Sequence, residues 1–526
     1  MTVNESYFPF PKMRDQQKLV LDKIKNSNKK AIILQCGTGT GKSAIGYTIA
    51  RSCKGRALMV TPTKQLQDQY VHDFESLGLT ELKGLGSYPC IKADCAYPMG
   101  PCHSVKGFKC DKEEVCPYKL AFDEAVNSKV TVVNYSWLCA NATRASKGKS
   151  LINEAEVIIF DEAHNVEAQL CSAYSFEICP TEFYNYYYQG ETITPAHKKL
   201  LDAFDKAKDI NSATMGFLMF YKDIIRPKIE EMDKDENPDQ DYWAYLSNNL
   251  DKMKYFCKRH KDHPNDKWCV TVSLNEGMPM FVFEPLYVDD IYDEIISTSD
   301  RKVVFMSATI LDPKTYAESI GLKDEYDYID YDSPFDPEKS PIICGVDIDC
   351  SYKGFTAAEQ KKLLEAVQQI VDLHPNEKGI IHTGNQNITK LLKKLKNPRF
   401  LIREGANTND VIMDKHINST EPTILVSSSM MEGVDLKGDL ARFQIICKMP
   451  YPSLVNERIK TKAGISYSWY NLQTWYRLLQ ATGRATRSEE DYSKTYILDK
   501  AFTREYKKYH EHLPEQFNER IYSIGA

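Results

Sequence analysis

No run of apolar residues in this chain reaches the about 18 consecutive positions that a membrane-spanning helix needs, and no basic, apolar leader opens it. A soluble, intracellular protein is therefore expected. Positive charge is also short: 67 Lys and Arg stand against 73 Asp and Glu, a net charge of -6. Contact with a polyanion must then come from local patches and backbone amides, because no global positive field exists to supply it. Internal repeats and low-complexity tracts are missing, so a repeat architecture is not expected. The paired C-x-x-C knuckles of most zinc ribbons are absent as well. The 526 residues suffice for three or four domains. The 32 tyrosines carry no functional conclusion and read as packing residues.

What is present begins with five cysteines inside 27 residues: Cys90, Cys95, Cys102, Cys110 and Cys116. They sit beside Pro and Gly, in KGLGSYPC, YPMGPC, KGFKC and EEVCPY, a stretch with too little apolar periodicity to build its own core. Metal ligation would supply the missing stability. The other ten cysteines are scattered singly, and an intracellular chain favours thiolate ligands over disulfides. Tetrathiolate sites suit zinc and iron-sulfur clusters alike, and the lack of knuckles tilts the expectation to a four-iron cluster.

Upstream of the cysteines, the buried-strand pattern AIILQ runs into the glycine-rich loop Cys36 to Ser43 and a helix start. That is the context of a phosphate-binding loop. Backbone N–H groups of Gly37, Thr38, Gly39, Thr40 and Gly41 would curl around a β-phosphate, Lys42 would reach the β and γ oxygens, and the Ser43 hydroxyl would ligate Mg2+. The strict pattern fails at its first glycine, which is Cys36. A glycine turn between a strand and a helix is the plainer reading, but it leaves the next motif unexplained. The run VIIF leads into Asp161 and Glu162, the pair that in such an enzyme holds Mg2+ and polarises the attacking water. Two adjacent acids are a common surface feature, and only the loop upstream makes them informative. Farther on, Gln480-Ala-Thr-Gly-Arg484-Ala-Thr-Arg487 places two arginines on one helix face. Alone it reads as a solvated basic face; after a phosphate loop and an acid box it fits arginines reaching a γ-phosphate across a cleft.

Taken together and in order, these residues resemble the XPD/DinG group of iron-sulfur superfamily 2 DNA helicases. The resemblance spans essentially the whole chain. It is carried by Arg14 to Gln17, CGTGTGKS, VTPTKQLQDQ (Val60 to Gln69), the cysteine insertion ending in Cys116-Pro-Tyr, VVNYSWL (Val132 to Leu138) and DEAHN (Asp161 to Asn165). Ser307-Ala-Thr309, Ser333-Pro-Phe-Asp336, Glu432-Gly-Val-Asp435 and the arginine motif follow. DEAHN, Glu-Gly-x-Asp and Gln-x-x-Gly-Arg-x-x-Arg are specific only as a set.

The resemblance implies an α/β protein with two RecA-like motor domains, a small iron-sulfur insertion and a mainly helical arch. The expected spans are 1–85, 121–178 and 279–325 for the first motor domain, 86–120 for the insertion, 179–278 for the arch and 326–526 for the second motor domain. The acidic stretch Glu230 to Asp241 in the arch reads as a solvated loop. The implied cofactors are ATP, Mg2+ and a [4Fe-4S] cluster. Gln17 would contact adenine, and Lys42, Asp161, Glu162, Gln480, Arg484 and Arg487 would act in hydrolysis, with Ser43 and Asp161 on Mg2+. Ser307 and Thr309 would couple hydrolysis to DNA movement, while Thr61, Pro62, Thr63, Gly433 and Asp435 would line the strand track; turn residues are the plainer reading of these last five. Cys90, Cys110 and Cys116 match the family's first, third and last cluster ligands. The second is open between Cys102 and Cys95, and Cys102 is taken.

The implied activity is ATP-dependent DNA unwinding with 5′ to 3′ movement on single strands, acting at single-strand to duplex junctions as a monomer in repair, replication or recombination. A DNA-stimulated ATPase that remodels protein–DNA complexes without separating strands is the alternative, and a zinc-stabilised binding module without hydrolysis is a third reading. The short segment before the first motor helix leaves no room for the nuclease domain some relatives carry.

Overall fold

A computed structural model of the chain describes residues 3–104, 108–145, 150–232, 240–262, 267–289, 292, 301–323, 325–402, 409–428, 438–483 and 490–523. Two seven-stranded sheets, every pairing in them parallel, dominate it. Strands buried on both faces read as unbroken apolar runs rather than as alternation. The AIILQC of Ala31–Cys36 is such a strand, with all six residues buried. It lies between Tyr326–Tyr331 and Lys302–Ser307, and the sheet continues through Ala155–Phe160, Arg56–Thr61, Val130–Asn134 and Leu79–Glu81. One face packs Ile32, Leu34, Met59, Ile159 and Met306 against the helix Lys42–Ser52. The other packs Ile33, Val60, Ile158, Phe160 and Phe305. Order in this sheet reverses beside Ala31–Cys36, and in open parallel sheets ligands bind at the carboxyl ends of strands where that happens.

The second sheet runs Phe400–Ile402, Ile424–Ser427, Gly379–His382, Phe443–Ile446, Lys494–Ile497, Ile342–Cys344 and Ile521–Ser523. Its 16-residue helix Tyr467–Thr482 points from there toward the first sheet. The two RecA-like units are therefore both present, but their limits differ from those read in the sequence. Tyr326–Tyr331, expected to open the second motor domain, is the edge strand of the first sheet, because residue by residue it pairs with Ala31–Cys36.

The arch also reaches further than 179–278. Phe176–Ile178, Trp268–Asn275 and Met278–Pro285 form a separate antiparallel sheet, so the first motor sheet resumes only at Lys302–Ser307. The reason is period-two burial: Phe281 and Phe283 face inward and stack on Phe204 and Phe176, with ring centroids 4.6 and 4.9 Å apart. The helices Pro180–Tyr187, Pro195–Asp205, Ile210–Phe220 and Gln240–Asp262 pack on that sheet, and Arg226–Met232 lies between the last two in the chain. Most of the acidic stretch, residues 233–239, lies outside the described residues. Among the described residues no helix is long and apolar enough to cross a membrane.

Candidate active site

The phosphate loop leaves the sheet at Cys36 and re-enters a helix at Lys42. Gly39 and Gly41 have φ of +78° and +80°, a backbone region open to glycine at little cost. The turn they make leaves the first N–H groups of Lys42–Ser52 facing outward, a ready anion site. Three contacts brace it from outside and one from within. Gln17 Nε2 donates to Thr40 O at 2.8 Å, Arg14 to Gly39 O at 2.7 Å, Ser333 Oγ to Thr38 O at 2.7 Å, and Thr40 Oγ1 to Gly37 O at 2.8 Å. Gln17 Oε1 meanwhile accepts from Arg14 N, so both ends of this side chain are engaged at the mouth of the loop. Phe335 closes down on the same turn: a methyl group added at Gly39 would lie 2.1 Å from its ring. Lys42 Nζ rests 3.5 Å from Cys36 O. The Cys36 thiol, at the buried end of the strand, is pushed up to about 12 by burial and stays protonated.

Asp161 follows the strand Ala155–Phe160 and is 4% exposed. Its Oδ2 accepts from Tyr70 OH at 2.8 Å and its Oδ1 from Glu162 N at 2.9 Å. Burial first, and the Glu162 charge second, push its pKa up to about 6 against the pull of Lys42. A buried carboxylate so placed gains most from a cation. Burial raises the Tyr70 pKa and the nearby Ser43 side chain lowers it, so Ser43 and Asp161, the two expected Mg2+ ligands, both act on the one Tyr70 hydroxyl. Glu162 sits at φ +47°, a strained setting for a residue with a Cβ and one that recurs at functional sites.

His164 ties the acid box to the next motif. Its Nδ1 lies 3.4 Å from Glu162 Oε2 and 2.9 Å from Ser307 Oγ. Ser307 Oγ in turn accepts from Thr309 N at 3.1 Å. Gln480, from the second motor domain, donates to Thr309 Oγ1 at 3.0 Å, and Tyr476 OH donates to Ile310 O at 3.0 Å. A continuous polar chain therefore runs from the acid box of one sheet to the long helix of the other. Tyr70, Tyr476 and Gln35, whose Oε1 accepts from Ile310 N and Leu311 N at 2.8 and 2.7 Å, were not legible as site residues. Each sits at an ordinary core spacing, and only the partner that folding brings up gives it a role. Thr61 ends its strand and Thr63 caps the helix Lys64–Phe74, donating nothing outward and accepting from Leu66 N at 3.2 Å. Arg484, Arg487, Gly433 and Asp435 lie outside the described residues.

In the insertion, Cys90, Cys102, Cys110 and Cys116 line one cavity of about 60 Å³ together with Tyr97, Lys92, Lys112 and Lys119. Cys95 does not line it; it pairs with Cys90 across a two-residue hairpin. Gly100 makes room at the wall, since a Cβ there would stand 2.9 Å from Cys90 Sγ. The volume is far below the roughly 300 Å³ of an organic-ligand pocket and suits a compact inorganic group. Among the described residues no three His, Cys, Asp or Glu side chains converge on a single ion. Four thiols on one cavity are the donor set that a thiophilic metal group takes.

Comparison with known proteins agrees with this geometry. Residues 362–520 match the helicase C-terminal domain model, and residues 10–217 match that of the type III restriction enzyme res subunit. A protein named probable ATP-dependent helicase from Methanocaldococcus jannaschii is 22% identical over 94% of this chain and 92% of its own. The ATP-dependent DNA helicase YoaA of Haemophilus influenzae is 21% identical, covering 90% and 88%. The ATP-dependent DNA helicase XPD of Sulfolobus acidocaldarius is 20% identical, covering 94% and 97%. A solved XPD helicase superposes with a TM-score of 0.66 at 15% identity over 98% of this chain and all of the other, a likeness of fold.

Proposed function

Taking the chain as what these matches make it, a helicase of the XPD/DinG group, we propose that it is an ATP-dependent DNA helicase that moves 5′ to 3′ on single-stranded DNA and opens duplex at junctions. The observation that carries the reading is the Gln480 to Thr309 bond, which puts the second motor domain against the acid box and phosphate loop of the first. A cleft built from two halves can open and close with the state of its nucleotide.

Hydrolysis follows from the groups in place. Lys42 swings from Cys36 O to the β and γ oxygens of ATP, neutralising charge that grows in the transition state. Glu162 takes the proton of the attacking water; its oxygen bonds to the γ phosphorus as the bond to the bridging oxygen breaks, giving ADP and phosphate. Mg2+, when bound through Ser43 and Asp161, supplies neutralisation of the phosphate charge. Gln480 senses the result at Thr309, and Arg484 and Arg487 supply the arginine contacts to the γ-phosphate. Cys90, Cys102, Cys110 and Cys116 would hold a [4Fe-4S] cluster, which when bound would make the insertion a rigid wedge.

The test is strand displacement from 5′- and 3′-tailed duplexes alongside ATPase on the same protein. Displacement from the 5′-tailed substrate alone is expected. ATPase stimulated by single strands with no displacement from either would replace unwinding by remodelling of protein–DNA complexes. Glu162→Gln keeps shape and hydrogen bonding but loses the base, so turnover should fall by about 10²–10⁴-fold while Mg2+-ATP still binds. The variant should hold single-stranded DNA in a stalled complex, measurable by gel shift with ATP. Loss of ATP binding together with turnover would instead make Glu162 a metal ligand.

A further inference from the structure

One buried carboxylate has no part in the hydrolytic chemistry just described. Glu167, 4% exposed, lies in the first turn of the helix Val166–Tyr174, which leaves the acid box directly. Its three side-chain partners come from the other motor domain, 291 to 302 residues away. Arg458 donates to Oε1 at 2.7 Å, Lys462 donates to the same oxygen, and Trp469 Nε1 donates to Oε2 at 2.6 Å. Arg458 also reaches Pro285 O at 2.8 Å and Cys171 Sγ at 2.8 Å. Lys462 lies 4.8 Å from the centre of the Trp469 ring and 5.6 Å from that of Tyr287. Burial alone would raise the Glu167 pKa, but Lys462 and then Arg458 outweigh it and hold the carboxyl ionised.

A buried ion cluster adds little to stability over an apolar replacement, whereas it fixes geometry sharply, since each charge tolerates few alternative positions. Its place along the helix makes that geometry useful. Trp469 opens the helix Tyr467–Thr482, and Gln480 follows 11 residues later, about 16 Å along a continuous rod. The Tyr476 bond to Ile310 O supports the rod between those points. We propose that Glu167 is a positioning residue for hydrolysis: it is the fulcrum that pins the near end of this helix to the acid-box helix, so that the far end holds Gln480 on Thr309 beside the acid box. The proposal rests on the helicase reading above.

The test compares the full chain, Glu167→Gln and Trp469→Phe in DNA-stimulated ATPase, with Lys42→Ala as the hydrolysis-dead reference. Glu167→Gln, verified as folded by its melting transition, should lose about tenfold or more in kcat while KM for ATP stays within about twofold, the pattern of a contact that matters in the transition state. Trp469→Phe removes one donor and keeps the ion pairs, so a smaller fall in kcat is expected. A folded Glu167→Gln with kcat and KM both unchanged would overturn the fulcrum. If that variant does not fold, Trp469→Phe decides, and an unchanged kcat there overturns the proposal equally. A parent chain without ATPase above Lys42→Ala would sink the helicase reading itself, a separate outcome.

Discussion

Lys42→Ala should abolish DNA-stimulated ATP hydrolysis while leaving the fold intact. The ammonium makes only a 3.5 Å contact to Cys36 O in the free protein, so its removal costs the native state little. In the transition state the same group faces charge developing on the transferring phosphoryl, and losing such a contact costs about 10²–10³-fold in turnover, or ~3–4 kcal/mol. A second effect adds to the first. Lys42 pulls the Asp161 pKa down against burial and the charge of Glu162; without it the carboxyl holds its proton to still higher pH. Mg2+-ATP binding should therefore weaken most at mildly acid pH and recover partly as pH rises. Steady-state ATPase and a titration of Mg2+-ATP at two pH values measure both parts, and near-parental turnover in a folded variant would remove the phosphate-loop assignment.

Cys110→Ser or Cys116→Ser should strip the proposed cluster and reduce unwinding by more than an order of magnitude beyond any loss of ATPase. The described hydrolytic candidates Lys42, Ser43, Asp161, Glu162 and Gln480 lie outside residues 90–116, at the ends of strands and helices of the two large sheets, so a collapsed insertion leaves them in place. Cys102→Ser should behave like those two, since Cys102 lines the cavity. Cys95→Ser should keep both iron and unwinding, because Cys95 is not among the residues that line the cavity. Iron content, the broad visible absorption of anaerobically purified protein and strand displacement across the five variants measure this. An iron-replete, fully unwinding Cys102→Ser protein would move the second ligand to Cys95. Zinc in place of iron, or five iron-free variants that all unwind, would remove the wedge.

The strand and helix context of the candidate catalytic residues was legible in the chain alone. Residues 31–43 and 155–162 carry their chemistry locally: an apolar run long enough for a buried strand, then the residue types that phosphate or Mg2+ demands at its carboxyl end. The five cysteines suggested a metal group because nothing around them could form a core, and four of them line one cavity. Boundaries were less legible. FVFEP reads as a returning motor strand until Phe176 and Phe204 are seen to claim Phe281 and Phe283, and YDYIDY reads as the start of a domain until it is found beside Ala31–Cys36. A strand's pairing partner is a tertiary fact, since the same alternation suits more than one sheet.

What the sequence determined by itself was the class of chemistry, because phosphate loops and acid boxes work through contiguous residues whose spacing is set by one strand end and one helix start. What only the tertiary structure decided was which distant groups share a point: Tyr70 beside Asp161, Gln480 on Thr309, Cys102 rather than Cys95 at the cavity, and Glu167 between Arg458, Lys462 and Trp469. These pairings span tens to hundreds of residues and leave no periodic trace in the chain. Burial supplies the physical reason they form, since a polar group withdrawn from water must find its partner wherever the fold brings one, and the sequence records the group but not the meeting.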